Sequence, residues 1–275
     1  MNIFTMTTPQ HQLNLRLRHS DFQAYLDINE YESERVRKDY VCCLNEKYGE
    51  HLLQAMDVFP SPIENSPILI FIHGGYWRGL DKKSYSFVAE PFVRNNMTVC
   101  VVNYRLLPQV NMKSLLDDVM KAVAWIQKEA KHYNGDAHSL ILSGHSAGGH
   151  IALKTYLMNE KLRPSIKAIC SLSGIFDLNV VKNSYLNETL KLDAYDADSY
   201  SVSNKDLSIL TCPTLLSVGS DETELFIEQS KTLFSKNKHI ANLKYFECEH
   251  LNHYQIIHHF GHAESVLARF VIENK

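Results

Sequence analysis

The 275-residue sequence has no Cys-x-x-Cys pair, no block of basic residues and no long apolar run. Each absence closes off a class of function. Without cysteines at ligand spacing, a cysteine zinc site has no support. The six cysteines (Cys42, Cys43, Cys100, Cys170, Cys212 and Cys248) are scattered, several of them in apolar stretches such as TVCVVNY and KAICSLSG. They read as reduced core thiols, not as a disulfide framework. The missing basic block, with a net charge of −3, argues against a nucleic-acid partner. No run approaches the roughly 18 apolar residues of a membrane-spanning helix. The opening stretch MNIFTMTTPQHQLNLRLRHS has no apolar centre followed by small residues, so it does not read as a signal peptide. A soluble chain of cytoplasmic location is expected. Internal repeats and low-complexity linkers are also missing, so residues 1–275 are expected to form a single domain.

What is present is an alternation of two periods. Continuous apolar runs at 68–73 (ILIFIH) and 97–105 (MTVCVVNYR) read as strands buried on both faces. Further strands are expected at 51–59, 139–143, 165–174, 213–219 and 242–249. Helical spacing appears at 114–130, where Leu115, Val119, Ala122, Val123 and Ile126 share one side. Helices are also expected at 150–159 and 254–273, and residues 11–50 read as a polar, helix-prone segment. Strands alternating with helices predict an α/β fold with a mostly parallel central sheet and helices on both faces. Residues 175–210 break the rhythm and are too long for a plain connection. They are expected to form short helices lying as a partial lid over the carboxyl ends of the strands.

Two motifs carry chemistry. Gly144-His145-Ser146-Ala147-Gly148 sits between a predicted strand and a predicted helix. It has the G-x-S-x-G form of a nucleophile elbow, in which small neighbours let a serine stand at the tip of a tight turn. His73-Gly74-Gly75-Tyr76-Trp77 follows a strand directly. It has the form of a segment supplying backbone donors to a developing oxyanion. Gly74 and Gly75 are the expected donors, with the N–H of Ala147 as the elbow's own contribution. Tyr76 and Trp77 are the expected flanks of the acyl site, with core packing as the competing reading of Trp77.

Five stretches together resemble the arylformamidase (kynurenine formamidase) branch of the α/β-hydrolases, near the hormone-sensitive-lipase-like esterases. They are FIHGGYWRGLDKKSYSFVAEPFV, VVNYRLLPQVNM, GHSAGGHIA, VGSDETELFIEQS and EHLNHYQII, spanning roughly residues 68 to 260. HGGYW is the most discriminating, because many esterases carry a third glycine where Tyr76 stands. The resemblance implies an α/β-hydrolase fold and a triad in the chain order serine, acid, histidine. It places the acid three residues after the glycine that ends a strand. Within Gly219-Ser220-Asp221-Glu222 this favours Glu222 and leaves Asp221 as the alternative. Asn252-His253-Tyr254 matches the family's histidine position, so His253 is the implied base and His250 a loop residue. His73 and His145 are expected to fix their loops by hydrogen bonds. His258, His259 and His262 have no well-spaced carboxylate partner and a serine site needs no metal, so no metal is expected there. The resemblance further implies no cofactor, a small-molecule substrate, and family members that are often homodimers.

The implied activity is hydrolysis of a short acyl amide, formyl from an N-formylkynurenine-like arylamine, as in tryptophan catabolism. A general short-acyl carboxylesterase would use the same residues. A catalytically silent binding module is the alternative from another class, opposed by the intact serine, acid and histidine. A lipase working at membranes is disfavoured by the lack of a strongly apolar lid or a basic amphipathic helix.

Overall fold

The computed structural model describes residues 8–275; the first seven residues of the opening stretch lie outside them. The described residues begin with three helices, α1 (Pro9–Leu13), α2 (Leu15–Arg18) and α3 (Phe22–Asp39). Three strands follow: β1 (Cys43–Lys47), β2 (Ala55–Phe59) and β3 (Ser66–Ile72). Next come α4 (Ala89–Val93), β4 (Thr98–Val102), α5 (Met112–Glu129), β5 (Gly135–His145), α6 (Ala147–Met158) and β6 (Ile166–Leu172). Four short helices fill the long connection: α7 (Leu178–Lys182), α8 (Asn187–Leu190), α9 (Ala194–Tyr200) and α10 (Asn204–Leu207). The chain closes with β7 (Thr214–Gly219), α11 (Glu224–Lys236), β8 (Leu243–Cys248), α12 (Gln255–Phe260) and α13 (Val266–Glu273).

The eight strands among the described residues form one sheet in the order β1-β2-β4-β3-β5-β6-β7-β8. β2 runs antiparallel to both β1 and β4, and every later pairing is parallel. The parallel strands need crossovers, and the helices that supply them cover both faces. The division of side chains follows from the two-residue pleat. On β3, Ile68, Ile70 and Ile72 enter one core while Leu69 and Phe71 enter the other. Leu140 and Leu142 of β5 join the first core and Ile141 joins the second. α5 packs Leu115, Val119, Ala122, Val123 and Ile126 into the first core. Its start is fixed by the Asn111 side chain, which accepts from Ser114 N–H. The second core is closed by α4, α12 and α13.

Four expectations change. Residues 11–50 are not helical throughout, because β1 occupies Cys43–Lys47. Its sequence CLNEK is polar and only partly buried, as an edge strand permits. The predicted strand at 51–59 starts only at Ala55, and the predicted helix at 254–273 is two helices separated at Gly261. The fourth change concerns what covers the carboxyl ends of the strands. The 175–210 segment does form short helices, but much of it packs inward, with Leu178, Val181, Leu186 and Leu190 buried. The N-terminal helices contribute more of the cover.

Because β3 lies between β4 and β5, the chain reverses its direction of growth at β3. In open parallel sheets, ligands bind at the carboxyl edge beside such a reversal. This pairing also explains how two motifs some 70 residues apart meet. Ile72 and Gly144 are register partners, so the loops leaving β3 and β5 emerge side by side.

Candidate active site

β5 ends at His145 and α6 begins at Ala147, leaving Ser146 alone to make the turn. Its backbone sits at φ 58°, ψ −122°, a conformation that costs a non-glycine residue on the order of 1–3 kcal/mol. The surroundings hold it there. Ser146 N–H donates to Leu172 O of β6 at 2.8 Å. Gly148 lies so close to β3 that a Cβ would collide with the Ile72 carbonyl oxygen.

The loop after β3 stands against this elbow. A Cβ on Gly74 would be 3.0 Å from the Ser146 Cβ. Gly75 takes φ +103°, and Tyr76 and Trp77 also have positive φ. Two tyrosines brace the loop. Tyr104 O–H donates to His73 O at 2.8 Å, and its ring stacks on the His73 imidazole with centroids 4.6 Å apart. His73 Nδ1 bonds Gly74 O at 2.8 Å, and burial lowers the imidazole's pKa, so the neutral ring donates. Tyr76 O–H donates to Leu13 O of α1 at 2.7 Å. Among the described residues, the N–H groups of Gly74, Gly75 and Ala147 make no hydrogen bond within the protein.

The loops after β7 and β8 bring a carboxylate to a histidine. Glu222 Oε2 accepts from His253 Nδ1 at 2.6 Å. Its other oxygen, Oε1, accepts from Gly219 N–H at 2.8 Å and from Ser173 O–H at 2.5 Å. Hydrogen bonds to both oxygens hold the carboxylate in one orientation. The Glu222 side chain is fully buried. Asp221 points elsewhere: it is exposed, with Ser220 O–H at 3.2 Å from its Oδ1. The structure therefore pairs His253 with Glu222 and not with Asp221. His145 Nε2–H donates to the His253 backbone oxygen at 2.9 Å. Burial, with His253 close by, holds the His145 pKa well below its usual value, so this ring acts as a neutral donor. Ser173 and His145 were not assigned a part beside Glu222 and His253 from sequence. Ser173 closes the Ser-Leu-Ser-Gly end of β6, and that strand-end position is the signal that could have found it.

Ser146 and His253 line one cavity of about 450 Å³. Its walls include Tyr76, Tyr85, Tyr185, Tyr254 and Phe22. The N-terminal segment supplies residues 13–16, Phe22, Leu26 and Asn29, whereas the 175–210 segment supplies Tyr185 alone. Arg18 of α2 reaches Asp221 O and Glu222 O at 3.3 and 3.4 Å, tying this cover to the loop that carries the carboxylate. Trp77, expected beside the substrate, is not part of the cavity wall. It is fully buried, edge-on to His150 at 5.4 Å. Tyr76 and Trp77 both take positive φ, and of the two only Tyr76 lines the cavity. Among the described residues no group of three or more His, Cys, Asp or Glu side chains is placed to hold a metal. No helix among them is long and apolar enough to cross a membrane.

This geometry agrees with what the chain is similar to. The BD-FAE family model matches residues 56–236, about two-thirds of the chain. Kynurenine formamidase of Salmo salar is 29% identical over 253 residues, covering 88% of this chain and 84% of that protein. Kynurenine formamidase of Danio rerio is 28% identical over 262 residues, covering 91% and 88%. A candidate thioesterase from Silicibacter sp. superposes with a TM-score of 0.80 at 24% identity, over 90% of this chain and 93% of the other. With the single eight-stranded sheet and the serine at its carboxyl edge, the chain belongs to the BD-FAE family and is a serine hydrolase of α/β-hydrolase fold, similar to the arylformamidase branch.

Proposed function

We propose that the protein is an arylformamidase, hydrolysing N-formylkynurenine or a closely similar N-formyl arylamine. The observation that carries this reading is the cavity in front of Ser146. It is walled by tyrosines and Phe22, with Tyr76 standing where many esterases have a third glycine. Tyrosine at that position narrows the acyl side, which suits a formyl group. The remaining aromatic rings offer flat apolar faces to an aryl ring. The formamidase names of the two fish relatives support the same substrate class.

In this reading His253, oriented by Glu222, takes the Ser146 hydroxyl proton as the oxygen attacks the formyl carbon. The oxyanion forms toward the N–H groups of Gly74 or Gly75 and of Ala147. The tetrahedral adduct collapses by breaking the C–N bond. The imidazolium gives its proton to the leaving nitrogen, and the arylamine departs. Water then attacks the formyl-serine, with His253 again as base, and formate leaves while Ser146 recovers its proton. Fixed backbone donors contribute most when charge develops on the oxygen, so loss of one costs on the order of 10²–10³ in kcat.

Short aryl esters would react by the same steps with an alcohol as leaving group. The deciding experiment compares N-formyl-L-kynurenine with a short and a longer p-nitrophenyl ester, using the wild-type protein and Ser146→Ala. Preference for the formamide, abolished in the variant, is the expected result. Rapid ester cleavage with negligible formamide turnover would replace the reading by a short-acyl carboxylesterase. No turnover and no labelling by a fluorophosphonate would leave a silent binding module.

A further inference from the structure

We infer that Arg16 and Arg78 form an anion subsite in the wall of the Ser146 cavity, selecting substrates that carry a carboxylate on the leaving-group side. The inference deepens the formamidase reading and rests on it for the identity of the reacting bond. Both arginines line the cavity, and no Asp or Glu does. The chain as a whole carries net charge −3, so a wall with two cations and no anion does not reflect its composition. Among the described residues neither guanidinium is in an ion pair. The residues that precede them, 1–7, contain no acidic side chain that could supply one.

Each arginine is nevertheless held. The Arg16 guanidinium lies over the Phe22 ring, 4.9 Å from its centroid. A stacked guanidinium keeps its in-plane N–H donors available. Arg78 uses Nη1 to donate to Thr189 Oγ1 at 2.9 Å, which ties it to α8. Both cations act on the Tyr185 phenol, whose pKa burial raises against their opposing influence, so the two guanidiniums lie near one hydroxyl of the cavity wall. A planar fork of donors matches a carboxylate, which it can bind through two parallel hydrogen bonds. The reacting carbonyl must reach Ser146, and Tyr76 narrows the acyl side, so the carboxylate belongs to the arm of the substrate that leaves.

The test uses two matched pairs of substrates. The first is N-formyl-L-kynurenine and its neutral carboxamide. The second is an aryl acetate bearing a propionate side chain on its ring and the same ester with that side chain as its amide. For each pair the ratio of kcat/KM, acid over amide, is measured in wild type, Arg16→Gln, Arg78→Gln and the double variant. A ratio does not depend on how much of each variant folds. The wild-type ratio is expected to be on the order of tenfold or more, carried mainly by KM and shrinking with added salt. It should fall toward one in the double variant, with Arg78→Lys in between. If the formamides are not cleaved but the acidic ester keeps its advantage and loses it in the variants, the formamidase reading fails and the subsite stands. Equal rates within both pairs in wild type, or ratios untouched by the substitutions, would overturn the subsite.

Discussion

At the scale of single residues, the site depends on which of two adjacent carboxylates faces His253. Glu222 gives one oxygen to the imidazole and the other to Gly219 N–H and Ser173 O–H, while Asp221 is exposed. Glu222→Gln keeps the shape but removes the charge that stabilises an imidazolium. It is expected to lower kcat/KM by about 10²–10⁴-fold, whereas Asp221→Asn should change it by less than about twofold. Steady-state kinetics on one substrate separates the two. A comparable loss from Asp221→Asn would mean that the 2.6 Å contact is not the functional one. Gly148→Ala tests the elbow, since its Cβ would meet the Ile72 carbonyl oxygen on a rigid strand. A cost of about 1–3 kcal/mol in denaturant stability is expected. The sequence already contained the reasons for much of this. Gly144 and Gly148 around Ser146, placed between an apolar run and a helical period, describe the turn before its angles are known. The spacing implied by the family resemblance favours Glu222 but leaves Asp221 open, because neighbours one residue apart fit the same loop. The position of His253 across the β7–β8 edge separates them.

At the scale of elements, the carboxyl edge of the sheet is covered from an unexpected direction. α1 and α2 contribute residues 13–16 to the cavity, although they stand some 130 residues before Ser146 in the sequence. Nothing local reveals this: α1 and α2 are short and polar, and what they cover depends on the final packing. The 175–210 segment drew attention by its length, yet its apolar side chains were destined for the core. β1 was missed for a related reason, since an edge strand needs neither full burial nor a continuous apolar run. The hydrogen bond from Tyr76 O–H to Leu13 O links the N-terminal cover to the loop that carries Gly74 and Gly75. Its loss is worth about 1 kcal/mol net. Tyr76→Phe keeps the ring and removes only that link. KM is expected to rise by up to about fivefold with kcat nearly unchanged, and hydrogen exchange over residues 9–18 to quicken. A fall in kcat with unaltered exchange would instead place the phenol in the reaction.

At the scale of the whole molecule, buried histidines make the fold sensitive to acid. His150 is fully buried on α6, donates from Nε2 to Tyr200 O at 2.7 Å, and is pushed down to about 4 by burial. His73 and His145 are lowered by the same cause. In the unfolded chain each would bind a proton near pH 6.5. Below that pH the unfolded state holds more protons than the folded one, so stability falls as pH falls. For His150 the loss runs from about pH 6.5 to about pH 4, with a limiting slope of about 1.36 kcal/mol per pH unit. Asp81 and Glu90, held below their usual values, add losses of the same sign at lower pH. Urea midpoints measured from pH 7.5 to 4.5 should therefore decline steadily below pH 6.5. His150→Gln retains a donor for Tyr200 O but cannot bind a proton. Its curve is expected to start lower at pH 7.5 and to descend less steeply, by about one proton's slope. Parallel curves for the two proteins would mean that His150 takes up its proton in the folded state as readily as in the unfolded one, and that burial on α6 does not keep the ring neutral.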